Sequence, residues 1–124
     1  MNENANQSFT ELEVWKKGRI LKNEIKELTK SFPAEEKFRL TDQIIRSSRG
    51  INATIAEGHG RYTFKDQLHF CIIARGSLSE THNHLIDALD CSYINQIKLD
   101  EFKKNIDEAG RLLNGYISYL RKNL

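Results

Sequence analysis

The chain has little of what interrupts a helix or ties a chain covalently. Among its 124 residues there is one proline, Pro33. Proline breaks a helix interior, so its scarcity leaves room for long helices. There are two cysteines, Cys71 and Cys91. One helix running between them would hold them roughly 30 Å apart at ~1.5 Å per residue, beyond the reach of a disulfide. Both are expected to be reduced thiols that pack as small hydrophobes. No apolar run approaches the ~18 residues of a membrane-spanning helix, and the polar start, Met1 to Ser8, has no signal-peptide core. These absences point to a cytoplasmic protein without a membrane anchor. Neither sign of charge dominates: 19 basic residues face 17 acidic ones, a net of +2. That balance does not announce nucleic-acid binding by itself.

Catalytic and metal-binding patterns are also missing. A di-iron helical site needs Glu-x-x-His motifs; this chain offers only Asp66-x-x-His69 and a His82/His84 pair whose side chains diverge on a helix. Cys71 and His82 share a helix face about three turns apart, too far for a nucleophile and its base. Ser77 and Ser79 have no evident base. Gly58-His59-Gly60 is too short for a phosphate loop, and no Lys-Ser/Thr follows a glycine-rich stretch. The expectation is a non-enzymatic protein with no cofactor and no metal.

What is present is helical periodicity. Residues 1–8 read as a tail and 9–124 as one domain. Thr10 and Glu13 make a Thr-x-x-Glu capping box, with Phe9 and Val14 as its hydrophobic staple. The first helix then runs to about Ser31 on a seam of Val14, Gly18, Leu21, Ile25 and Leu28. Pro33 opens a second helix at its first position, with Glu35 and Glu36 in the first turn. Leu40, Ile44, Ser48, Ile51 and Ile55 form its stripe, and it ends near Gly58. Thr63 caps a third helix, with Asp66 as a weaker capping-box partner. Its face is Phe64, Leu68, Cys71, Ile72, Leu78, Leu85, Ile86 and Leu89, ending near Asp90. A fourth helix starts at Asn95 or Gln96, with Leu99, Phe102, Ile106, Ala109, Leu113, Tyr116 and Leu120 as its seam. Four amphipathic helices joined by short turns predict an all-α, antiparallel up-down-up-down four-helix bundle.

Some apolar residues lie off these seams: Leu12 and Trp15 on helix 1, Phe38, Ile45 and Ala56 on helix 2, Phe70, Ile73 and Ala74 on helix 3. Two readings stay open. These residues are buried by wide packing or scattered on the surface, or Leu12, Trp15, Phe38, Ile45, Phe70 and Ile73 form an interface between copies.

Charge is unevenly spread. Residues 9–75 hold 13 basic and 9 acidic residues, a net of +4; residues 76–110 hold 3 and 7, a net of −4. Such a dipole suits a polyanion on one side or head-to-tail association. Trp15, Arg19, Lys22 and Lys26 share a side of helix 1. Arg46, Arg49, Arg61 and Lys65 form a second basic run, with no acid between Asp42 and Glu57. These eight are the candidate RNA-binding residues, the cations for phosphate and Trp15 for stacking; a solvated helix face with Trp15 buried is the plainer reading. Arg75 falls on the apolar arc of helix 3, so pairing with Glu57 or Glu80 in a buried polar network is expected.

The central third carries an ordered string: Phe32-Pro33, Glu36-Lys37-Phe38, Leu40, Gln43-Ile44, Arg46, Ile51, Ile55-Ala56-Glu57-Gly58, Gly60-Arg61, then Ala74-Arg75-Gly76-Ser77-Leu78 and Glu80. Leu12, Val14-Trp15 and Tyr93-Ile94 extend it over about residues 9–120. This string closely resembles the four-helix bundle proteins first noticed as products of 23S ribosomal RNA intervening sequences. The resemblance implies a ring-like homopentamer. Related accessory proteins of diversity-generating retroelements are pentameric basic bundles that bind RNA and a reverse transcriptase. The chain departs from the family pattern at Ile45, Ser47, Ser48, Arg49 and Thr54, all on helix 2. The functional reading is an oligomeric, RNA-binding or ribonucleoprotein accessory module; the alternative is a protein-interaction scaffold whose basic patches only solubilise it.

Overall fold

The computed structural model describes residues 8–124. Four helices follow one another: α1 (Glu13–Thr29), α2 (Leu40–Gly60), α3 (Phe64–Asp90) and α4 (Gln96–Lys122). Two short 3-10 turns, Phe9–Glu11 and Ala34–Glu36, precede α1 and α2. Each helix packs on its two neighbours in a cycle α1–α2–α3–α4–α1, the arrangement of an up-down bundle. The expected tail lies, apart from Ser8, outside the described residues; Ser8 itself caps the first turn, its Oγ accepting from Thr10 N at 3.2 Å.

The seams are occupied as their spacing dictates. Val14, Gly18, Leu21 and Ile25 of α1 are buried, as are Leu40, Ile44, Ser48, Ile51 and Ile55 of α2. On α4 the buried row is Leu99, Phe102, Ile106, Ala109, Leu113, Ile117 and Leu120. Tyr116 stands beside this row, because its hydroxyl leaves the apolar centre to reach Gln67 Oε1 at 2.8 Å. Asn95 caps α4 and Thr63 caps α3, each side chain accepting from the backbone N–H three residues on.

Three expectations are corrected. The Thr10/Glu13 capping box does not form. Leu12 takes the N-cap position of α1 with its side chain turned into the core, 8% exposed, and Phe9 meets Trp15 edge-on at 5.3 Å instead of stapling Val14. Pro33 does not open α2. It is extended at ψ 146° and leads into the Ala34–Glu36 turn. Glu36 lies in that turn, its Oε1 accepting from Leu40 N at the start of α2 at 3.5 Å and its Oε2 from the Tyr93 hydroxyl at 2.6 Å across the bundle end. The latter bond holds the Tyr93 phenol in its neutral form, its pKa pushed up to about 12. On α3 the face is rotated from the expected one. Gln67, Cys71, Ala74, Leu78, Thr81, Leu85 and Ala88, spaced by three and four, point inward, while Ile72 and Ile86 point out.

The rotation follows from how closely α2 and α3 approach, the most extensively packed pair in the bundle. Gly58 lies under Phe70 so tightly that a Cβ on it would sit 2.6 Å from Phe70 Cβ and 3.4 Å from Gln67 Cα. Gly50 faces Ser77, and the Ser47 and Thr81 hydroxyls bond at 2.8 Å within the seam. Small and polar residues on both helices leave no room for isoleucine there. At the α1–α2 contact Gly18 receives Asn52, whose Nδ2 donates to Trp15 O at 3.1 Å.

Cys71 is buried and Cys91, at the C-terminal cap of α3, is exposed. Only Cys71 behaves as the small hydrophobe expected of both. Burial pushes the Cys71 thiol up to about 12. Two outcomes are expected. Maleimide on the native protein labels one thiol per chain, at Cys91, and two once it is unfolded; native labelling of Cys71 at comparable speed contradicts the packing. Gly58→Ala lowers stability by about 1–3 kcal/mol despite alanine's better helix propensity, because Phe70 Cβ and the α3 backbone must shift; an unchanged melting temperature by circular dichroism refutes the close approach.

Candidate nucleic-acid interface

The two flanks of α1 carry opposite charge. Arg19, Lys22 and Lys26 follow one another along the flank that faces α2, the side where Asn52 reaches the Trp15 carbonyl. None of the three joins an ion pair among the described residues, and neither does Arg49 on the α1-facing side of α2. At helical spacing, α2 contributes Asp42, Ile45, Arg49, Asn52 and Ala56 to this face; its one carboxylate, Asp42, is paired with Arg46 at 3.7 Å. On the other flank Lys17 is held by Glu108 at 2.9 Å and Asn105 Oδ1 at 3.1 Å, and Asn105 donates to Glu24. The Lys17 ammonium holds the Glu108 carboxyl below the usual carboxylate range. Beyond this clasp an open groove of about 660 Å³ between α1 and α4 is lined by Ile20, Glu24, Glu27, Leu28, Glu101 and Phe102, among others.

The other candidates separate by environment. Trp15 is half-buried against the core, with Phe9 at its edge and the Arg19 guanidinium 5.8 Å over its ring, so its ring serves packing. Arg46 pairs with Asp42 at 3.7 Å and Arg61 with Glu57 at 3.2 Å, both along α2. Lys65 is exposed at the start of α3, away from the α1–α2 face. The eight residues therefore do not form one patch; Arg19, Lys22, Lys26 and Arg49 do.

The buried polar network is not present. Arg75 is exposed, because the rotated face of α3 turns it toward α4, where it donates to Asn114 Oδ1 at 3.2 Å. Glu57 is taken by Arg61, and Glu80 by His84 Nε2 at 3.1 Å. The buried polar residues are others, among them Gln67, Thr81, Asn52 and His84. Their polar character hid them from a search for apolar seams, although the 3-4 spacing of Gln67, Cys71, Ala74, Leu78 and Thr81 was there to be read.

Of the apolar residues assigned to an interface between copies, Leu12 is unavailable, being inside its own subunit. Trp15, Ile45 and Phe70 are partly buried, with Phe70 under the Arg61 guanidinium at 5.3 Å. Phe38 (84%) and Ile73 (44%) remain exposed. Ala74, read as lying off the main face, is fully buried because it belongs to the α2–α3 seam. Among the described residues no cluster of three or more His, Cys, Asp or Glu is placed to hold a metal, and no helix is long and apolar enough to cross a membrane.

A family model described as 23S rRNA-intervening sequence protein matches residues 10–115. The chain belongs to this family. A solved structure from Bacteroides thetaiotaomicron, a protein of unknown function from the S23 ribosomal protein family, is similar at 27% identity with a TM-score of 0.76. The match covers 84% of this chain and 97% of that one. No curated protein matches the chain. Membership of the intervening-sequence family fits the bundle and carries no biochemical role with it.

Proposed function

We propose that this intervening-sequence family protein is a non-enzymatic helical-bundle module that assembles with copies of itself and binds RNA through its α1–α2 face. The observation that carries the RNA reading is the set of cations Arg19, Lys22, Lys26 and Arg49, none in an ion pair among the described residues, on a face where the one acid of α2, Asp42, is already paired with Arg46. Cations already neutralised along their own helix have less charge to offer phosphate; these four are open to it. The family resemblance, with its retroelement relatives that bind RNA, points the same way.

Self-association is supported by the outer face of α3. Ile72, Gly76, Ser79, Asn83 and Ile86 follow at helical spacing on the side opposite the core, with no charge among them. The strip is about 21 Å long at 1.5 Å per residue, and Ile72 and Ile86 are exposed along it. A closed ring needs a second, different surface on each copy. The groove between α1 and α4, with Ile20 exposed and Leu28 and Phe102 in its lining, lies diagonally across the bundle from α3 and meets that need. Five copies is the number the resemblance implies. A ring repeats each modest basic face, so separate weak contacts combine on one RNA.

Exposed Phe38 favours a second reading, a scaffold that binds other proteins and no nucleic acid.

Filter binding to a structured RNA across a salt series separates the two. Affinity is expected to fall steeply with salt. Replacing Arg19, Lys22 and Lys26 together by glutamine should weaken binding and flatten the log–log slope by roughly two to three, at about 0.7–0.9 per lost contact. No binding by the unaltered protein at low salt removes the RNA reading. For assembly, Ile72→Asp with Ile86→Asp is expected to lower the mass seen by light scattering without loss of helicity. A monomeric unaltered protein at micromolar concentration refutes it.

A further inference from the structure

One end of the bundle, apart from the α1–α2 face, carries an aromatic cluster whose inner rings, Phe64 and Tyr116, pack against the core and whose outer rings, Tyr62 and Tyr119, face solvent. A groove there is lined by Tyr62, Phe64, Lys65 and Tyr119, with Thr63, Asn123 and Leu124 completing it. Lys65 is the one charged side chain in the lining, and Lys122 shares the Tyr119 side of α4, one turn on. Tyr62 is 63% exposed. Phe64 meets Tyr119 edge-on at 5.7 Å, and Tyr119 stacks on Tyr116 at 6.1 Å with the rings 15° from parallel.

The surface is held from beneath. Gln67 is buried and donates to the Tyr62 carbonyl at 3.0 Å, while its Oε1 accepts from Tyr116 at 2.8 Å. One amide thus fixes the α2–α3 turn against α4. Tyr62 has φ 79°, a conformation that suits glycine or asparagine and disfavours a bulky side chain. Neither backbone geometry nor burial calls for tyrosine at that position. What the ring adds is an exposed aromatic face beside two others and a free cation.

We propose that this end of the bundle is a stacking platform for unpaired bases of single-stranded RNA, with Tyr62 and Tyr119 against the bases and Lys65 and Lys122 against the phosphates. Aromatic faces accept any base, and neighbouring lysines track the backbone, so the site selects unpaired strands with little regard to sequence. The proposal rests on the RNA reading above and adds to it the class of RNA: an unpaired segment next to a structured one. The α1–α2 face takes helical phosphates through charge; the platform takes the flanking single strand.

The test is fluorescence anisotropy with a labelled oligouridylate of about ten nucleotides and a blunt RNA duplex, on the full chain. Tyr62→Gly removes the ring and relaxes the turn, so the fold is retained. Tyr62→Gly and Tyr119→Ala should each weaken oligouridylate binding at least about five-fold and leave duplex binding unchanged; Tyr119→Phe, which keeps a ring, should bind as the unaltered protein does. Unchanged oligouridylate affinity in Tyr62→Gly and Tyr119→Ala overturns the platform while the RNA reading stands. Unchanged affinity with a lower assembly mass overturns it too, making the groove a contact between proteins. Failure of the unaltered protein to bind either RNA removes both.

Discussion

The close approach of α2 and α3 is the constraint from which the other surfaces follow. It exists because Gly58, Gly50, Ser47, Ala74, Ser77 and Thr81 are small enough to let two backbones meet. A seam of small residues contributes less apolar burial per residue than one of leucine, at ~25 cal/mol per Å². It compensates through many close van der Waals contacts and through the hydroxyl pair between Ser47 and Thr81. It also sets the rotation of α3. With Gln67, Ala74 and Thr81 inside, Ile72, Ile73 and Ile86 are left outside. The greasy outer strip of α3 is a consequence of the tight seam, not an independent feature.

The same contact shapes the end of the bundle. α2 and α3 are so near at Gly58 and Phe70 that the chain must reverse within a few residues, and Tyr62 takes the left-handed conformation that permits it. Gln67 then converts the reversal into a fixed object by bonding both the turn and Tyr116. A buried amide with both ends satisfied costs little and rigidifies what it touches. The position of the aromatic rings is therefore set by the core, although the rings themselves face solvent.

The parts of the fold visible in the sequence were those where burial and hydrophobicity coincide. On α4 the spacing of Leu99, Phe102, Ile106, Ala109, Leu113 and Leu120 gave the helix, its face and its start, and Thr63 and Asn95 marked two caps. The family string around Ile55-Ala56-Glu57-Gly58 was legible as well, and Gly58 proves to be its tightest packing point. Reading failed where the two properties part. On α3 the expected face set Ile72 and Ile86 beside Cys71, Leu78 and Leu85, whereas the row that packs inward joins those three to Gln67, Ala74 and Thr81. Arg75 was placed inside by that same error, and the buried network went with it. At the start of α2 the proline signal was genuine, but the backbone leaves the helical region at Arg39 and separates the turn from α2, while Glu36 is tied across the bundle to Tyr93, a long-range contact that no local pattern contains. The basic stripe of α1 was readable as charge. That Lys17 belongs to α4 while Arg19 and Lys22 stay free depends on which neighbour lies on which flank, and only the packed bundle decides it.

The surfaces also fit together without competing. In the cyclic order α1–α2–α3–α4, helix α3 is diagonal to α1, so its outer strip points away from Arg19, Lys22 and Lys26. Copies joined through α3 leave the cations uncovered. The aromatic end lies along a third direction, at the tips of α2, α3 and α4, and is reached without disturbing either. Charge follows the same division in part: the groove between α1 and α4 is bordered by Glu24, Glu27 and Glu101 against one cation, Lys98, which pairs with Glu101, so its lining is net acidic and less attractive to a polyanion. In the proposed RNA-binding reading, an approaching RNA is steered to the α2 flank of α1 by the difference in charge between the two sides, over a distance of about one Debye length, ~8–10 Å at physiological salt. A bundle with the same net charge of +2 spread evenly would offer no such direction. It is the sorting of charge across the two flanks of a single helix, more than its total, that gives this small protein a side from which to be bound.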